Sequence, residues 1–537
     1  MSGELKFVPL DDIGINGLNT QSNPTTLEPS WLTTADNILL KESGRITFRE
    51  GIKQQVLPIS GGAPIGAITE YRKDGTILAA VGNKMYEVDF TSPNAAFINP
   101  HTNNVDTSDW EMIDFNNEIY CVQEGAIPEE YDNGTWTILT STTGYQAPAG
   151  VTTFNPRCGT GYYGRLWVGG IVEEKDVVYY SDLLDAHKWN SGSAGVIDLK
   201  TVWGADEIIA IEPFFGQLVI FGRHNIAIYD NPSDPNAASF GLNEVIRGIG
   251  CIARDSVQSV GDDLLFLSDT GLRSLSRTTQ LDKVPLQEFS LNIRDTLLRN
   301  IKQSSNVKSV YVLDDGLFLL SFVDLNITYV FDIRHQTPNN TPRITKWSFQ
   351  GNRHPSSFTY TDSKGFLIGQ TLGCVATLEG YLEEDFVAGG TNTTIPYTSS
   401  FNTVWINLGN SAVSSILKKF HAIIEGGSGT TVGLQWFTDF SPTASPVNSF
   451  QLRPATTGTI ALFRSQPMVG EAVTASHALY GATTASHTHD SLVHPSDSKY
   501  TPVFGLKEYT VNLTGRAKFI QFRMVAETTG FVASLQK

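Results

Sequence analysis

Short apolar or alternating runs recur along the first two thirds of the chain, and each is followed by a polar turn and a second run. Seven such pairs lie between Ala67 and Gly380, at intervals of roughly 45 to 50 residues. One unit of this size cannot bury its apolar faces alone, whereas several arranged around an axis can. The pattern therefore predicts a β-propeller of six or seven blades. The paired runs are Ile77–Val81 with Met85–Phe90, Met112–Phe115 with Glu118–Val122, Leu166–Gly170 with Val177–Tyr180, Leu218–Phe221 with Ile226–Tyr229, Leu264–Leu267 with Gly271–Leu275, Leu317–Phe322 with Ile327–Phe331, and Phe366–Gly369 with Val375–Leu378.

The pattern changes at both ends of the repeats. The first 60 residues carry no repeat and are rich in turn formers, although Arg45–Phe48 is typical of a strand. Such an arm can supply the strand that closes the ring, since an unclosed propeller exposes two sheet edges. After the Gly/Thr/Asn-rich stretch Ala388–Pro396, longer and evenly alternating runs predict a jelly-roll-like β-sandwich. We therefore divide the chain into an N-terminal arm for assembly and propeller closure (1–60), the β-propeller (61–387), and a C-terminal β-sandwich (388–537) with a His-rich loop (471–498).

The composition agrees with an all-β protein. Charged residues make up 17% of the chain, aromatic residues 10%, and there are 48 glycines, which is typical of sheets joined by tight turns. One stretch, Ser290–Ile301, repeats apolar residues at helical spacing. We expect a single short helix there, between two blades.

The formal charge of −17 argues against sequence-specific binding of nucleic acid, because neutralising phosphates requires clustered Lys and Arg. The first residues lack the apolar core of a signal peptide, and no segment approaches the ~20 apolar residues of a membrane span. We expect a protein made in the cytoplasm with no membrane anchor. The four cysteines, which have no metal-binding spacing, are expected to be buried and free: Cys121, Cys158, Cys251 and Cys374.

Catalytic motifs are absent from the sequence, so we expect no enzyme, no catalytic residues and no cofactor. Acidic clusters at Asp262-Asp263, Asp314-Asp315 and Glu383-Glu384-Asp385 could supply a glycosidase pair, but Asp and Glu at these places are more typical of turns.

The only spacing that suits a metal is in the His-rich loop. His487 and His489 would share one face of a strand, and His494 could add a third ligand. A polar loop is the favoured interpretation, so we predict no metal site.

The nine tryptophans are dispersed along the predicted strands. On a lectin surface they would stack on sugar rings, but even dispersal favours the cores of the blades, where an indole buries a large area. They are Trp31, Trp110, Trp136, Trp167, Trp189, Trp203, Trp347, Trp405 and Trp436.

The N-terminal arm carries a resemblance to a known family. Gly17–Pro24, Glu28-Pro29, Ala35–Ile38 and Gly44–Gly51 resemble the opening of the tail nozzle and packaged-DNA stabilisation (tail tubular) proteins of short-tailed, podovirus-type bacteriophages. Further similarity lies in the repeats, at Gly248–Val257 with Leu265–Arg273 and at Leu218–Gly222 with Ile226–Tyr229. The resemblance covers residues 10–380 and extends to the C-terminal domain only in its general alternation.

The resemblance implies a structural virion protein, assembled in the host cytoplasm and located in the tail. It implies a homohexameric nozzle below the portal and adaptor that retains the packaged genome and passes it on ejection. The implied partners are the tail adaptor (head-to-tail connector), a tail fibre, tailspike or tail-tip plug protein, and double-stranded DNA in non-specific passage. An acidic conduit suits this role because carboxylates repel phosphates, although acidity can also serve solubility alone.

The alternative function is a carbohydrate-binding or glycoside-cleaving β-propeller. It requires an acidic pair or an aromatic platform at the mouth of the central funnel. Oligomeric state separates the two, because a nozzle should form a six-fold ring or join one on its adaptor, whereas a lectin or hydrolase is usually a monomer or small oligomer with affinity for sugars.

Overall fold

The structure is a computed structural model of the 537-residue chain. It describes residues 7–41, 44–59, 62–90, 96–236, 239–276, 288–351, 353–379, 384–387, 393–409, 414–426, 431–451, 505–527 and 533–536. In this part of the chain, no helix is long and apolar enough to span a bilayer.

Four short strands precede the repeats. They are β1 (Leu32–Asp36), β2 (Ile38–Leu40), β3 (Ile46–Phe48) and β4 (Gly51–Gln54). Each is rich in buried positions, so each is held by packing against elements far along the chain.

The first four blades are antiparallel four-stranded sheets in simple up-and-down order. Their strands are β5 (Ile65–Tyr71), β6 (Thr76–Val81), β7 (Lys84–Asp89) and β8 (Ala96–Thr102); β9 (Glu111–Phe115), β10 (Glu118–Val122), β11 (Glu129–Asp132) and β12 (Thr135–Ile138); β13 (Cys158–Tyr162), β14 (Arg165–Gly169), β15 (Val177–Tyr180) and β16 (Gly195–Asp198); and β17 (Ile208–Phe214), β18 (Gln217–Gly222), β19 (Asn225–Asp230) and β20 (Gly241–Arg247).

A three-stranded sheet follows, and two more blades complete the ring. The three-stranded sheet is β21 (Gln258–Val260), β22 (Asp263–Ser268) and β23 (Gly271–Ser274). The remaining strands are β24 (Val307–Val312), β25 (Leu317–Phe322), β26 (Ile327–Gln336) and β27 (Pro342–Trp347), then β28 (Pro355–Thr361), β29 (Gly365–Gln370) and β30 (Val375–Glu379).

The ring closes between its last and first sheets. Strand β28 contacts β5, and β4 from the N-terminal arm pairs antiparallel with β30 as the fourth strand of the last blade. Six four-stranded blades and one three-stranded sheet therefore surround the axis, which confirms the predicted six- or seven-bladed β-propeller. Separate apolar clusters lie between neighbouring sheets, and this explains why the inner strands are apolar on both faces.

Helices are few in the part of the chain that the structure describes. It includes the α-helices α1 (Lys200–Trp203) and α2 (Arg294–Gln303), and short 3-10 turns cover Ser141–Thr143, Arg254–Ser256, Leu291–Ile293 and Val323–Leu325. Helix α2 lies between β23 and β24 in the chain and buries Leu297. The helix predicted between two blades is therefore confirmed.

Most of the C-terminal strands form two packed sheets with the arm. The bounds of the C-terminal strands are β31 (Glu384–Val387), β32 (Thr393–Pro396), β33 (Thr398–Thr403), β34 (Ile406–Asn407), β35 (Ser415–Ile416), β36 (Lys419–Gly426), β37 (Thr431–Thr438), β38 (Asn448–Gln451), β39 (Gly505–Asn512), β40 (Arg516–Ala517), β41 (Phe519–Glu527) and β42 (Ala533–Gln536). Strands β31 and β32 extend the sheet of the last blade beyond β4, and β35 pairs with β40. Of the two packed sheets, one has the order β1-β33-β41-β37-β38 and the other β2-β3-β42-β36-β39. Their inner faces meet in one core that includes Phe401, Leu434 and Ile424.

The arm joins the sandwich to the propeller. Strand β1 pairs with β27 of the sixth blade on one side and with β33 on the other, so one sheet runs from the propeller into the sandwich. The boundaries at residues 60 and 387 stay predictions, because the sheets cross both of them.

Candidate functional site

Charged side chains meet at the centre of the propeller. Asp109 immediately precedes the second blade, Arg254 and Asp255 lie in the 3-10 turn before β21, and Lys308 lies on β24 of the sixth blade. We call these four residues the axial network. Its two cations keep only 6% of their side-chain exposure.

The axial network is tightly connected. Arg254 Nη2 lies 3.2 Å from Asp109 Oδ1 and 3.0 Å from Asp255 Oδ2, and Lys308 Nζ lies 2.6 and 2.8 Å from the same two oxygens. Arg254 Nη1 also donates to the backbone carbonyls of Asp109 and Arg157. Two positive and two negative groups are thus paired, as burial of charge requires.

These contacts cross the axis of the ring. The second and sixth blades are not neighbours, yet Asp109 of one meets Lys308 of the other at 2.6 Å. The side chains of the network therefore occupy the centre. The Asp109 carboxylate keeps 60% exposure, so water reaches the network at this residue.

The charges within the axial network determine the protonation state of its members. Loss of hydration opposes ionisation of both aspartates, more completely at Asp255 than at the water-accessible Asp109, but the Arg254 and Lys308 charges outweigh it and hold the pKa of Asp109 and of Asp255 below the usual range. The same aspartates raise the pKa of Lys308 above its ordinary value, against the effect of burial. The four groups are therefore ionised together across the neutral pH range.

Two more carboxyls lie next to the network on inner strands. Burial raises the pKa of Glu111 to about 7, with Arg254 opposing the shift. Burial, then the charges of Glu111 and Asp255, raise the pKa of Glu212 to about 8. Glu111 Oε2 accepts a hydrogen bond from the Gly159 amide at 2.9 Å. Near neutral pH these two carboxyls therefore hold protons that ordinary surface acids release.

A second cluster of side-chain contacts lies where the N-terminal arm meets the sixth blade and the sandwich. The Arg49 side chain is fully buried, with its guanidinium carbon 3.7 Å from the Tyr397 ring centroid and 4.6 Å from that of Phe349. It donates to Asn37 Oδ1 at 3.2 Å and to the Glu50 carbonyl at 2.8 Å. One arginine thus connects the arm, the link after the sixth blade and the start of the sandwich.

The residues predicted from the sequence do not gather into one site. Asp263 Oδ1 accepts from the amides of Leu264 and Ser276, near its own hairpin. Asp314 follows β24 and accepts from Tyr360 Oη on β28 of the next blade, so the two carboxylates lie apart with different partners. His487, His489 and His494, and the acidic Glu383, lie outside the described residues.

The described part of the chain holds no group of three or more His, Cys, Asp or Glu placed to bind a metal. All four cysteines are buried and free. Seven tryptophans are buried, and the remaining two, Trp136 and Trp405, are half-buried.

Sequence reasoning missed the axial network. Only Lys308 of the network carries a sequence signal, a charge inside the apolar inner strand Val307–Val312. The neighbouring Glu212 carries the same signal in Ile208–Phe214. Pairing between the second and sixth blades has no local signature, so the partners could not be identified.

No family model matches this chain, and neither does any curated protein. Among solved structures, it is similar to the extracellular domain of the hybrid two-component system BT4673 from B. thetaiotaomicron, with 12% identity and a TM-score of 0.41 over 63% of this chain and 40% of that one. It is also similar to Raptor from Chaetomium thermophilum, with 10% identity and a TM-score of 0.40 over 65% of this chain and 30% of that one. The chain thus spans less than half the length of either protein, and its function has to be argued from its own residues.

Proposed function

We propose that this chain is a structural protein of a short-tailed bacteriophage tail: a nozzle that forms a homohexameric ring below the portal and adaptor. In this role it retains the packaged genome and passes the duplex on ejection. Its partners are further copies of itself, the adaptor above, and a fibre, tailspike or tip protein.

One observation carries the proposal: the residues that resemble the nozzle family are those on which this fold depends. Gly17 adopts φ +81°, and a Cβ there would lie 2.8 Å from backbone atoms of Ile344. Asn37 adopts φ +55° and bonds Thr398, Ser348 and Arg49 through its side chain. The matching segment of the arm is therefore constrained by its contacts with the propeller and the sandwich.

The second matching segment is constrained in the same way. A Cβ at Gly250 would lie 2.3 Å from the Gly222 carbonyl oxygen, so only glycine fits there. Arg254 and Asp255, in the same segment, supply half of the axial network. The resemblance thus falls on residues with specific structural roles at two separate places.

The position of the axial network also limits the path that DNA could take. A 2.6 Å ion pair crosses the centre of the propeller, and the major groove of a duplex is by itself about 12 Å wide. The conduit of the proposed nozzle is therefore the space enclosed by six subunits. The excess of 55 acidic over 38 basic residues suits a lumen that does not retain phosphates.

Locating the chain in purified virions tests the proposal. Antibodies against the C-terminal residues should label the tail in electron micrographs, and mass spectrometry should give six copies per particle. Labelling of the capsid, or absence from purified particles, would contradict the proposal.

A carbohydrate-active propeller remains a second candidate because of one observation. Glu111 and Glu212 are adjacent acids whose pKa values are raised to about 7 and about 8, and such pairs occur in glycosidases. Both lie beside the paired ions of the axis, where a sugar chain would have to displace the network. Hydrolysis of a glycan by the wild type but not by Glu212→Gln would support this candidate over the nozzle.

A further inference from the structure

A fully buried carboxylate of the second blade has no lysine or arginine partner among the described residues. Glu129, on β11, is 0% exposed. Its Oε1 accepts hydrogen bonds from the backbone amide and the side-chain amide of Asn104, at 3.0 and 2.8 Å. Its Oε2 makes no hydrogen bond with any described residue. A buried carboxylate of this kind is normally paired with a cation or coordinates a metal.

A histidine of the first blade faces the free oxygen of Glu129. His101, on β8, places its Nε2 3.3 Å from Glu129 Oε2. Both atoms are buried, and neither makes a hydrogen bond with any described residue. The His101 ring stacks on Trp136 with the ring centroids 6.0 Å apart, which holds its orientation. With its proton on Nδ1, the neutral imidazole presents the Nε2 lone pair to the same space as the carboxylate oxygen.

Asn103 adds a third unpaired group on the same face of β8. Its backbone amide donates to the Asn83 carbonyl at 2.9 Å, so the extended pairing of β7 with β8 continues beyond Thr102. Residues two apart in an extended strand project to one face, and the Asn103 side chain therefore follows His101 towards the second blade. Asn103 is 8% exposed, and neither its Oδ1 nor its Nδ2 has a described hydrogen-bond partner. Buried amides are normally paired, so this one indicates a bound group.

The spacing of the two facing atoms fits a tetrahedral metal ion. Zinc lies ~2.0–2.1 Å from imidazole nitrogens and ~2.0–2.2 Å from carboxylate oxygens, which places two ligands of one tetrahedral ion roughly 3.3–3.5 Å apart. His101 Nε2 and Glu129 Oε2 are separated by 3.3 Å. The hydrogen bonds from Asn104 to the other carboxylate oxygen fix the orientation of Glu129, as outer-shell groups do at metal sites.

The remaining ligands have to be oxygen atoms. Cys121 lies opposite Glu129 in the pairing of β10 with β11, but no group of three His, Cys, Asp or Glu among the described residues is placed around one ion. The amide oxygen of Asn103 and a water molecule can complete four-coordination. Water has access, because the His101 side chain keeps 24% exposure. A set of one imidazole and oxygen donors suits a divalent ion such as Zn²⁺.

We propose that the joint between the first and second blades binds one divalent transition metal ion of the zinc type, with His101 Nε2, Glu129 Oε2 and Asn103 Oδ1 as protein ligands and water in the fourth position. The ion neutralises the buried carboxylate and links β8 of one blade to β11 of the next. The site concerns two blades of a single chain, so it is independent of the proposed nozzle.

Zinc titration of the full chain by calorimetry tests the site. The protein is first treated with a chelator, and the four histidines of the His-rich loop are replaced by alanine so that they cannot contribute. This parent protein should bind one Zn²⁺ per chain, and Co²⁺ in its place should give the intense visible absorption of four-coordinate cobalt. Absence of binding, or the weak absorption of six-coordinate cobalt, would overturn the proposal. The replaced residues are His477, His487, His489 and His494.

Three variants of the parent protein identify the ligands. His101→Ala and Glu129→Gln should each weaken Zn²⁺ binding at least tenfold. Asn103→Asp, which replaces an amide oxygen by a carboxylate oxygen, should strengthen it at least tenfold, a gain that a purely hydrogen-bonding role would not produce. Unchanged affinity in His101→Ala, or no gain in Asn103→Asp, would overturn the proposal. If His101→Ala does not fold, Asn103→Asp still decides the question.

A second histidine provides the matched control. His224 Nδ1 also lies 3.3 Å from a carboxylate oxygen, Asp206 Oδ1. The other oxygen of Asp206 already accepts from the His224 amide and the Asn225 side chain, and the His224 side chain is 69% exposed. His224→Ala should therefore leave Zn²⁺ affinity and stoichiometry unchanged. A loss of the single ion in this variant would place the binding at His224 and overturn the proposed site.

Discussion

Individual side chains hold this molecule together at points where distant segments meet. Arg49 is the clearest case, because its guanidinium stacks against two aromatic rings and bonds to the arm at full burial. Lysine would keep the charge but not the planar stacking or the fork of donors. The junction therefore depends on the shape of this side chain as well as on its charge.

We predict that Arg49→Lys lowers the free energy of unfolding by about 1.5–3 kcal/mol, the contribution of a hydrogen bond made by a charged group. Urea unfolding followed by tryptophan fluorescence measures the change as a shift in midpoint. Arg72→Lys is the control, since the Arg72 side chain is 75% exposed and an exposed pair contributes roughly 0–1 kcal/mol. Equal midpoints for the two variants would show that the stacking is unimportant.

Glu212 gives the protein a pH-dependent stability. Burial raises its pKa from 4.5 to about 8, so the folded state binds this proton more tightly than the unfolded chain does. The resulting stability is present at acidic pH and is lost as pH rises from 4.5 to about 8.

Glu212→Gln, which mimics the protonated acid, should flatten this dependence. We expect little change near pH 5 and a gain on the order of 4 kcal/mol near pH 8, because each unit by which the pKa is raised corresponds to ~1.4 kcal/mol. Unfolding curves across this range measure it, with Glu124→Gln at 46% exposure as the control. Parallel curves for the wild type and Glu212→Gln would contradict the pKa assignment.

At the scale of elements, the hairpins could be predicted from the sequence and their long-range partners could not. Runs such as Leu317–Phe322 and Ile327–Phe331 lie within β25 and β26 because alternation and turn residues are local signals. The pairing of β4 with β30, and of β1 with β27 and β33, joins the arm to strands near the far end of the repeats. No local pattern encodes such partners, so the arm was predicted only as a candidate for closing the ring.

The arm should stay bound after its covalent link is cut. Leu32, Ile38, Ile46 and Ile52 are at most 3% exposed, and burial of each contributes roughly 1.5–3 kcal/mol. A protease site inserted between residues 60 and 61 separates the arm from the first blade. After cleavage, both fragments should elute together in native buffer and separate only in denaturant. Elution of the arm by itself in native buffer would show that β1–β4 contribute little to the fold.

In the whole molecule, the axis of a single propeller has to be distinguished from the axis of the proposed ring of six copies. The sequence did not show which of these two axes could hold the DNA. The axis of the propeller is crossed by the Asp109–Lys308 pair, so the proposed conduit belongs to the assembly of six copies. Composition predicted an acidic protein. Only the arrangement of the blades shows which carboxylates are paired with cations at the centre of the propeller. The excess of acidic residues that remains is available to the outer surfaces, including any lumen between subunits.

A reconstruction of the virion tail by electron microscopy would locate this chain and count its copies. If the chain is the proposed nozzle, the map will show six copies of this propeller around one axial channel, each with its own centre closed and with an acidic surface towards the DNA. A location of this chain outside the tail, another symmetry, or a strongly basic channel wall would contradict the proposed function.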